Sequence, residues 1–166
     1  MFKAGECIVY STIGVCRIVD IRFEKFRGSE AQEYYVLKPY FDSNSITYVS
    51  TSDEELLAKM RPVLTREAID DLIRNMPHEE SIWISDDRER DREYSVKVRS
   101  GDSRELVKLI RTLYLEKERK KGTGKRLNST DLRIMTAAEK LLHEEFAVVL
   151  GIEPKDVVPH ILAQLP

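Results

Sequence analysis

The chain has 166 residues, enough for one ordinary domain or two small ones. Charged residues make up 34% and hydrophobic residues 42%, a composition that excludes a disordered polyelectrolyte and suits a folded protein with long solvated faces. The formal net charge of −2 excludes a global pull toward nucleic acid, so any phosphate contact must come from a local patch of Lys and Arg.

No apolar run reaches the roughly 18–20 residues needed to span a bilayer, and Met1 to Cys7 lacks the charged-then-apolar order of a signal peptide. A cytoplasmic protein without membrane contact is expected. Cys7 and Cys16 have neither a second Cys pair nor a nearby His cluster, so they are expected to be buried thiols in a reducing compartment, not a zinc site.

Before residue 52 the chain alternates β-branched and aromatic residues with polar ones. Cys7–Tyr10, Gly14–Ile21, Glu33–Lys38 and Ile46–Val49 each read as strands. The separators at 11–14, 27–29 and 42–45 read as turns. Such spacing over about fifty residues predicts a small, strongly bent antiparallel barrel. A core that small leaves little room for a deep pocket, so the module is expected to bind with its surface and edges.

From residue 52 the period becomes helical. Ser52-Asp53-Glu54-Glu55 caps a short helix expected to run through Met60, with Pro62 beyond it. Thr65-Arg66-Glu67-Ala68 opens a second helix, with Ala68, Ile69, Leu72 and Ile73 on one face, up to Pro77. The stretch from Pro77 to Ser85 holds the only Trp, between Ile82 and Ile84. A charged helix follows from Asp86 to Arg99, in spite of Val96 and Val98, and Ser100-Gly101-Asp102 breaks and recaps the chain. The next helix, to about Lys121, carries Leu106, Leu109, Ile110, Leu113 and Tyr114 on one side. Gly122-Thr123-Gly124 stops it, and Asn128-Ser129-Thr130-Asp131 starts another that runs to Leu150. A final short helix should turn Val157, Val158, Ile161 and Leu165 inward. The reading is α+β: a β domain over 1–55 and an all-helical domain over 56–166, with the boundary between 50 and 65.

Little in this inventory could carry catalysis. His78, His143 and His160 are scattered, and His143-Glu144-Glu145 lacks the second His at i+4 of a helical zinc site. Gly122-Thr123-Gly124-Lys125 is a helix stop, since the full phosphate-loop pattern and its preceding strand are both missing. No catalytic residue, metal or cofactor is expected.

Local basicity says more. From Arg104 to Arg126 there are nine Lys or Arg against three acids, densest from Lys117 to Arg126 around an interhelical turn, with Arg133 just beyond. This is either a solvated helix end or a phosphate-binding patch. Arg88, Arg90 and Arg92 alternate with acids and favour a salt-bridged helix over a DNA stripe. Trp83 is either a core plug or an apolar wedge for a minor-groove base step.

Taken in order, these pieces resemble the CarD family, also called CdnL. Phe2 to Tyr10 is similar to its opening "F-x-x-G-[DE]-x-V-V-Y", and Gly14-Val15-Cys16-Arg17-Ile18 to the strand that follows. Gly28 with Tyr34-Tyr35-Val36-Leu37 matches its "G…YYVL". Ile46-Thr47-Tyr48-Val49 matches the strand before its linker helix, with Ser50 where Pro is usual. Leu64-Thr65-Arg66-Glu67 and Arg99-Ser100-Gly101-Asp102 match later landmarks, so the resemblance spans nearly the whole chain.

The resemblance implies an N-terminal Tudor-like barrel, shared with the transcription-repair coupling factor, that docks on the β subunit of RNA polymerase through an exposed sheet edge. The matching positions are Thr47 and Tyr48 in the last strand, where relatives often carry Arg, and Glu24 and Lys25 in the hairpin. It implies a helical domain that meets promoter DNA at the upstream edge of the transcription bubble, where a Trp wedges the minor groove. Trp83 is the only candidate for that role, although it lies earlier than the wedge position of actinobacterial relatives, where an ungapped match puts Asp87. Arg90, Arg92 and Arg133 fall near the family's basic positions, and Lys120, Lys121 and Lys125 supply the dense patch. The expectation is a transcription regulator, monomeric when free, that stabilises the open promoter complex. The alternative is a polymerase-bound adaptor whose helical domain meets another protein and never touches DNA.

Overall fold

In the computed structural model, which describes residues 1–42 and 44–165, the chain divides into two units, Met1–Val63 and Leu64–Pro166. The turn expected at 42–45 includes Ser43, which lies outside the described residues.

The alternating pattern of the first unit folds as β1 (Cys7–Tyr10), β2 (Gly14–Glu24), β3 (Gln32–Pro39), β4 (Thr47–Ser50) and β5 (Met60–Pro62). They form one antiparallel sheet in the order β4-β3-β2-β1-β5. Directly opposed residues point to the same side, so the pairs Ile8↔Cys16, Ile18↔Leu37 and Tyr35↔Val49 gather into one core with Tyr10 and Met60. A short 3-10 turn joins β1 to β2. Gly14 leaves it at φ 87° and ψ −149°, a conformation essentially confined to glycine. A register shift between Ile18 and Asp20 marks a bulge, the usual means of bending a small sheet. Cys7 is half-buried and Cys16 buried, and neither is in a disulfide.

The first helix ends sooner than its pattern suggests. Asp53 caps α1 (Glu54–Leu57), its carboxylate accepting from Leu56 N, and Met60 then turns inward as the start of β5 opposite Tyr10. A fifth strand three residues long and ending in Pro62 has no periodicity to betray it. Because it pairs with β1, the division of the chain falls after Val63, within the expected window but later than residue 55.

The second unit contains α2 (Arg66–Asn75), α3 (Asp87–Ser100), α4 (Ser103–Lys121), α5 (Ser129–Leu150) and α6 (Val157–Gln164). Each of the first four begins on a side-chain cap: Thr65 accepts from Ala68 N, Asp86 from Glu89 N, Asp102 from Glu105 N and Asn128 from Asp131 N. Helices α3, α4 and α5 pack on one another around Tyr94, Leu106, Leu109, Leu113, Ala138 and Phe146, with Ile69 and Ile73 of α2 completing that core. Two residues expected inside lie outside. Tyr114 is 53% exposed and Val158 46%, because each sits one residue, about 100° of helix, beyond the buried Leu113 and Val157. Among the described residues no helix is long and apolar enough to cross a membrane.

Candidate functional site

Each unit presents an aromatic-and-basic surface. In the sheet it grows from the β2–β3 hairpin and β4. The period of two puts Asp20, Arg22 and Glu24 on one face of β2, with Tyr34 opposite Arg22 and Tyr48 opposite Val36. Arg22 gathers the patch. Its Nε donates to Glu24 at 2.7 Å, Nη1 to Asp20 at 3.3 Å and Nη2 to the Tyr48 hydroxyl at 3.2 Å. Those bonds, Tyr48's first, hold its guanidinium charged above arginine's ordinary value. The ring of Tyr48 meets Phe26 and Tyr34 edge-on at 5.0 and 6.0 Å, and Phe26 is itself 5.1 Å from Tyr34.

Of the four expected sheet residues, Arg22 thus links Glu24 to Tyr48. Thr47 starts β4 opposite Leu37, and Lys25 is exposed on the hairpin. Arg22 itself escaped the sequence reading, because β2 runs three residues past the expected end at Ile21. It places a guanidinium beside Tyr48. The sheet ends at β4, whose outer side has no strand partner among the described residues.

In the helical unit, residues 79–86 have no regular structure, yet buried or half-buried side chains hold them. Arg111 Nε donates to the carbonyl of Glu79 at 2.9 Å. Ile82 N donates to Thr112 Oγ1 at 3.0 Å, while the Tyr94 hydroxyl donates to the Ile82 carbonyl at 2.9 Å. Burial pushes the Tyr94 phenol up to about 12, so it stays a donor throughout the physiological range. Arg90 Nη1 donates to the carbonyls of Ile84 and Ser85 at 2.9 and 3.4 Å. Trp83, at the centre of this loop, is half-buried against the core, with the Arg90 guanidinium 4.3 Å over its ring and the Lys120 ammonium at 6.0 Å.

This corrects the expectation for Arg90. It is only 2% exposed, and all five of its N–H donors are engaged inside the protein. Nε and Nη2 fork onto Asp131 at 2.9 and 2.8 Å, and Nη2 also reaches Asp87 at 2.7 Å. The fork, Asp131 first, raises its pKa well above arginine's ordinary value. A side chain so enclosed has no donor left for a phosphate. Asp131, read from sequence only as part of a helix start, is its buried counter-ion.

The basic segment sorts itself along α4. Arg104 pairs with Glu79, Lys108 with Glu105 and Arg119 with Glu116, while Arg111 serves the loop. Lys117, Lys120, Lys121, Lys125 and Arg126 make no ion pair among the described residues, and they cluster where α4 ends. The amides of Thr123, Gly124 and Lys125 donate to the carbonyls of Lys120 and Lys121 and fix that turn. The structure therefore brings Trp83 and Lys120 together, with Lys121 and Lys125 on the same turn. Arg92 and Arg133 are exposed, and among the described residues no cation–π contact or hydrogen bond links them to Trp83. Each lies two residues, about 200° of helix, past an inward-facing partner, Arg90 or Asp131.

A sheet with an open edge, followed by helices that display a tryptophan beside free lysines, agrees with what family comparison finds. Residues 2–64 match the CarD-like/TRCF RID domain, and residues 69–161 match the CarD C-terminal domain. The chain belongs to the CarD family of transcription factors, and its first unit is the family's RNA polymerase-interacting domain. It is 26% identical over 157 residues to a Bacillus subtilis (strain 168) protein named "Putative transcription factor YdeB", covering 95% of this chain and 97% of that relative.

Proposed function

We propose that the sheet unit docks on the β subunit of RNA polymerase through the edge of β4 and the patch gathered by Arg22, and that the helical unit then meets promoter DNA at the upstream edge of the bubble. Strand addition at β4 would supply main-chain hydrogen bonds, with Tyr48, Phe26, Glu24 and Lys25 giving specificity. Trp83 enters the minor groove as a wedge, and Lys120, Lys121 and Lys125 hold the phosphates, with Arg92 and Arg133 as outlying contacts. Holding the upstream edge open lengthens the life of the open complex.

The observation that carries this reading is the setting of Trp83: a half-buried ring on a firmly held loop, beside a turn of unpaired lysines. A Trp serving only as a plug needs no cation cluster at its rim. The net charge of −2 is no obstacle, since docking on polymerase raises the local DNA concentration enough for weak intrinsic affinity to suffice.

The test is the lifetime of open promoter complexes with the full chain, Trp83→Ala, and a variant with charge reversal at Lys120, Lys121 and Lys125. Both variants should shorten it while still binding polymerase. Unchanged DNA crosslinking by the charge-reversed protein would instead leave the adaptor as the better reading.

A further inference from the structure

We propose that Arg90, fixed by Asp131, is the positioning residue of Trp83, setting the pose in which the indole is presented; the functional side of this inference rests on the reading of Trp83 as a DNA contact. Three observations converge on Arg90. Its guanidinium lies 4.3 Å over the indole ring. Its Nη1 holds the carbonyls of Ile84 and Ser85, the two residues that follow Trp83. Its other donors tie it to Asp131 on α5 and Asp87 on α3, so one side chain joins the loop, both helices and the ring. From the other flank, Tyr94 and Thr112 hold Ile82. The backbone is thus fixed on both sides of Trp83, and Arg90 both bonds to that backbone and lies over the ring.

Burial makes this arrangement informative. An ion pair with both members about 2% exposed is a poor means of stabilising a core, since well-packed apolar residues in its place are often as stable or more so. What apolar residues cannot reproduce is the directional grip of a planar fork on two carboxylates and two carbonyls at once. Arg90 also covers one face of the indole, so no ligand can sandwich the ring between two planes, which suits a wedge better than a ring slotted between two bases.

Trp83 is the only tryptophan, so fluorescence of the full-length chain reports this site alone. The decisive variant is Arg90→Met with Asp131→Leu, which removes the fork without leaving a buried charge unpaired. Its thermal midpoint should stay near that of the parent. Without the guanidinium over it the indole should leave its pose about 3- to 30-fold more often, read as greater acrylamide quenching and red-shifted emission. Its effect on open-complex lifetime should fall to that of Trp83→Ala. Arg90→Lys keeps a cation beside Asp131 but lacks the fork, so it should fall between the two, and it decides the matter if the double variant does not fold.

Unchanged quenching in a folded double variant, or in Arg90→Lys if that is the one that folds, would overturn the positioning role. If Trp83→Ala leaves open-complex lifetimes unaltered, the DNA reading of Trp83 fails, while the quenching result still decides whether Arg90 sets the pose.

Discussion

Both units set an aromatic ring against an arginine held by two carboxylates, and the two arrangements differ mainly in burial. Arg22 lies at the surface with Asp20 and Glu24, its side chain 43% exposed, and it touches Tyr48 through water-accessible bonds. Arg90 lies under Trp83 with Asp131, both closed to solvent. Exposed ion pairs are screened and contribute little to stability, so the Tyr48 patch can rearrange against a partner. A buried pair is rigid, and breaking half of it is costly. One motif therefore gives an adaptable surface in the sheet and a preorganised one among the helices.

The sharpest way to break this comparison is to remove one carboxylate from each side. Asp131→Ala strands Arg90 and should cost about 3–5 kcal/mol in denaturant unfolding of the full chain, whereas Glu24→Ala should leave the transition where it was. Equal effects would mean that the burial contrast has no energetic weight. Next in size is Tyr94→Phe, which leaves the Ile82 carbonyl without its donor; about 1–3 kcal/mol is expected in the same measurement. Arg22→Ala should be silent in unfolding but weaken polymerase binding about tenfold by titration, as expected if the sheet patch acts in recognition and not in folding. For the lysine turn, Lys121→Glu with Lys125→Glu should lower the slope of log DNA affinity against log salt by about one for each phosphate that is no longer neutralised.

The smallest effect is on pH. Burial holds the half-buried His143 below its ordinary value, so its neutral form suits the folded state. Its contribution is complete above about 6.5 and is lost as pH falls through that value toward the folded one. Glu116 and Glu105 are held low by Arg119 and Lys97, so their contributions disappear further down, below the ordinary carboxylate range. Glu139 and Glu144, raised by burial, act in the opposite sense and are relieved by acid. Thermal midpoints should therefore begin to fall as pH drops below about 6.5, with Glu139 and Glu144 opposing that fall toward the carboxylate range, and His143→Gln should remove its upper part.

Periodic features were legible in the sequence, and features that depend on a partner far along the chain were not. Four of the five strands and the four long helices announce themselves by alternation, caps and glycine stops. β5 does not, because three residues ending in proline acquire strand character only from β1. Trp83 and the basic turn with Lys120 stand out in the sequence by residue type, whereas Tyr48 and Glu24 are singled out only by the family resemblance. For Arg90 the alternation with acids points to a salt-bridged side chain, which it is, but not to its buried partner Asp131, 41 residues away, which is what takes it out of reach of a phosphate. Asp131 was hidden for a related reason: a helix-start aspartate already has a local explanation. Arg22 was lost to a strand boundary.

The edge of β4 has a consequence for protein dosage. An unpaired strand accepts any extended chain of suitable register, including one from another copy of itself. At the opposite end of the sheet Pro62 removes a donor and blunts that side, but β4 has no proline and no lysine, and Ile46 just before it is 48% exposed. Its protection is brevity: four residues offer too few bonds to hold two copies together at low concentration. If polymerase takes that edge, as proposed, copies made in excess of it would be the ones exposed to aggregation, and the stoichiometry of the two proteins would bear on how much of this one stays unassociated.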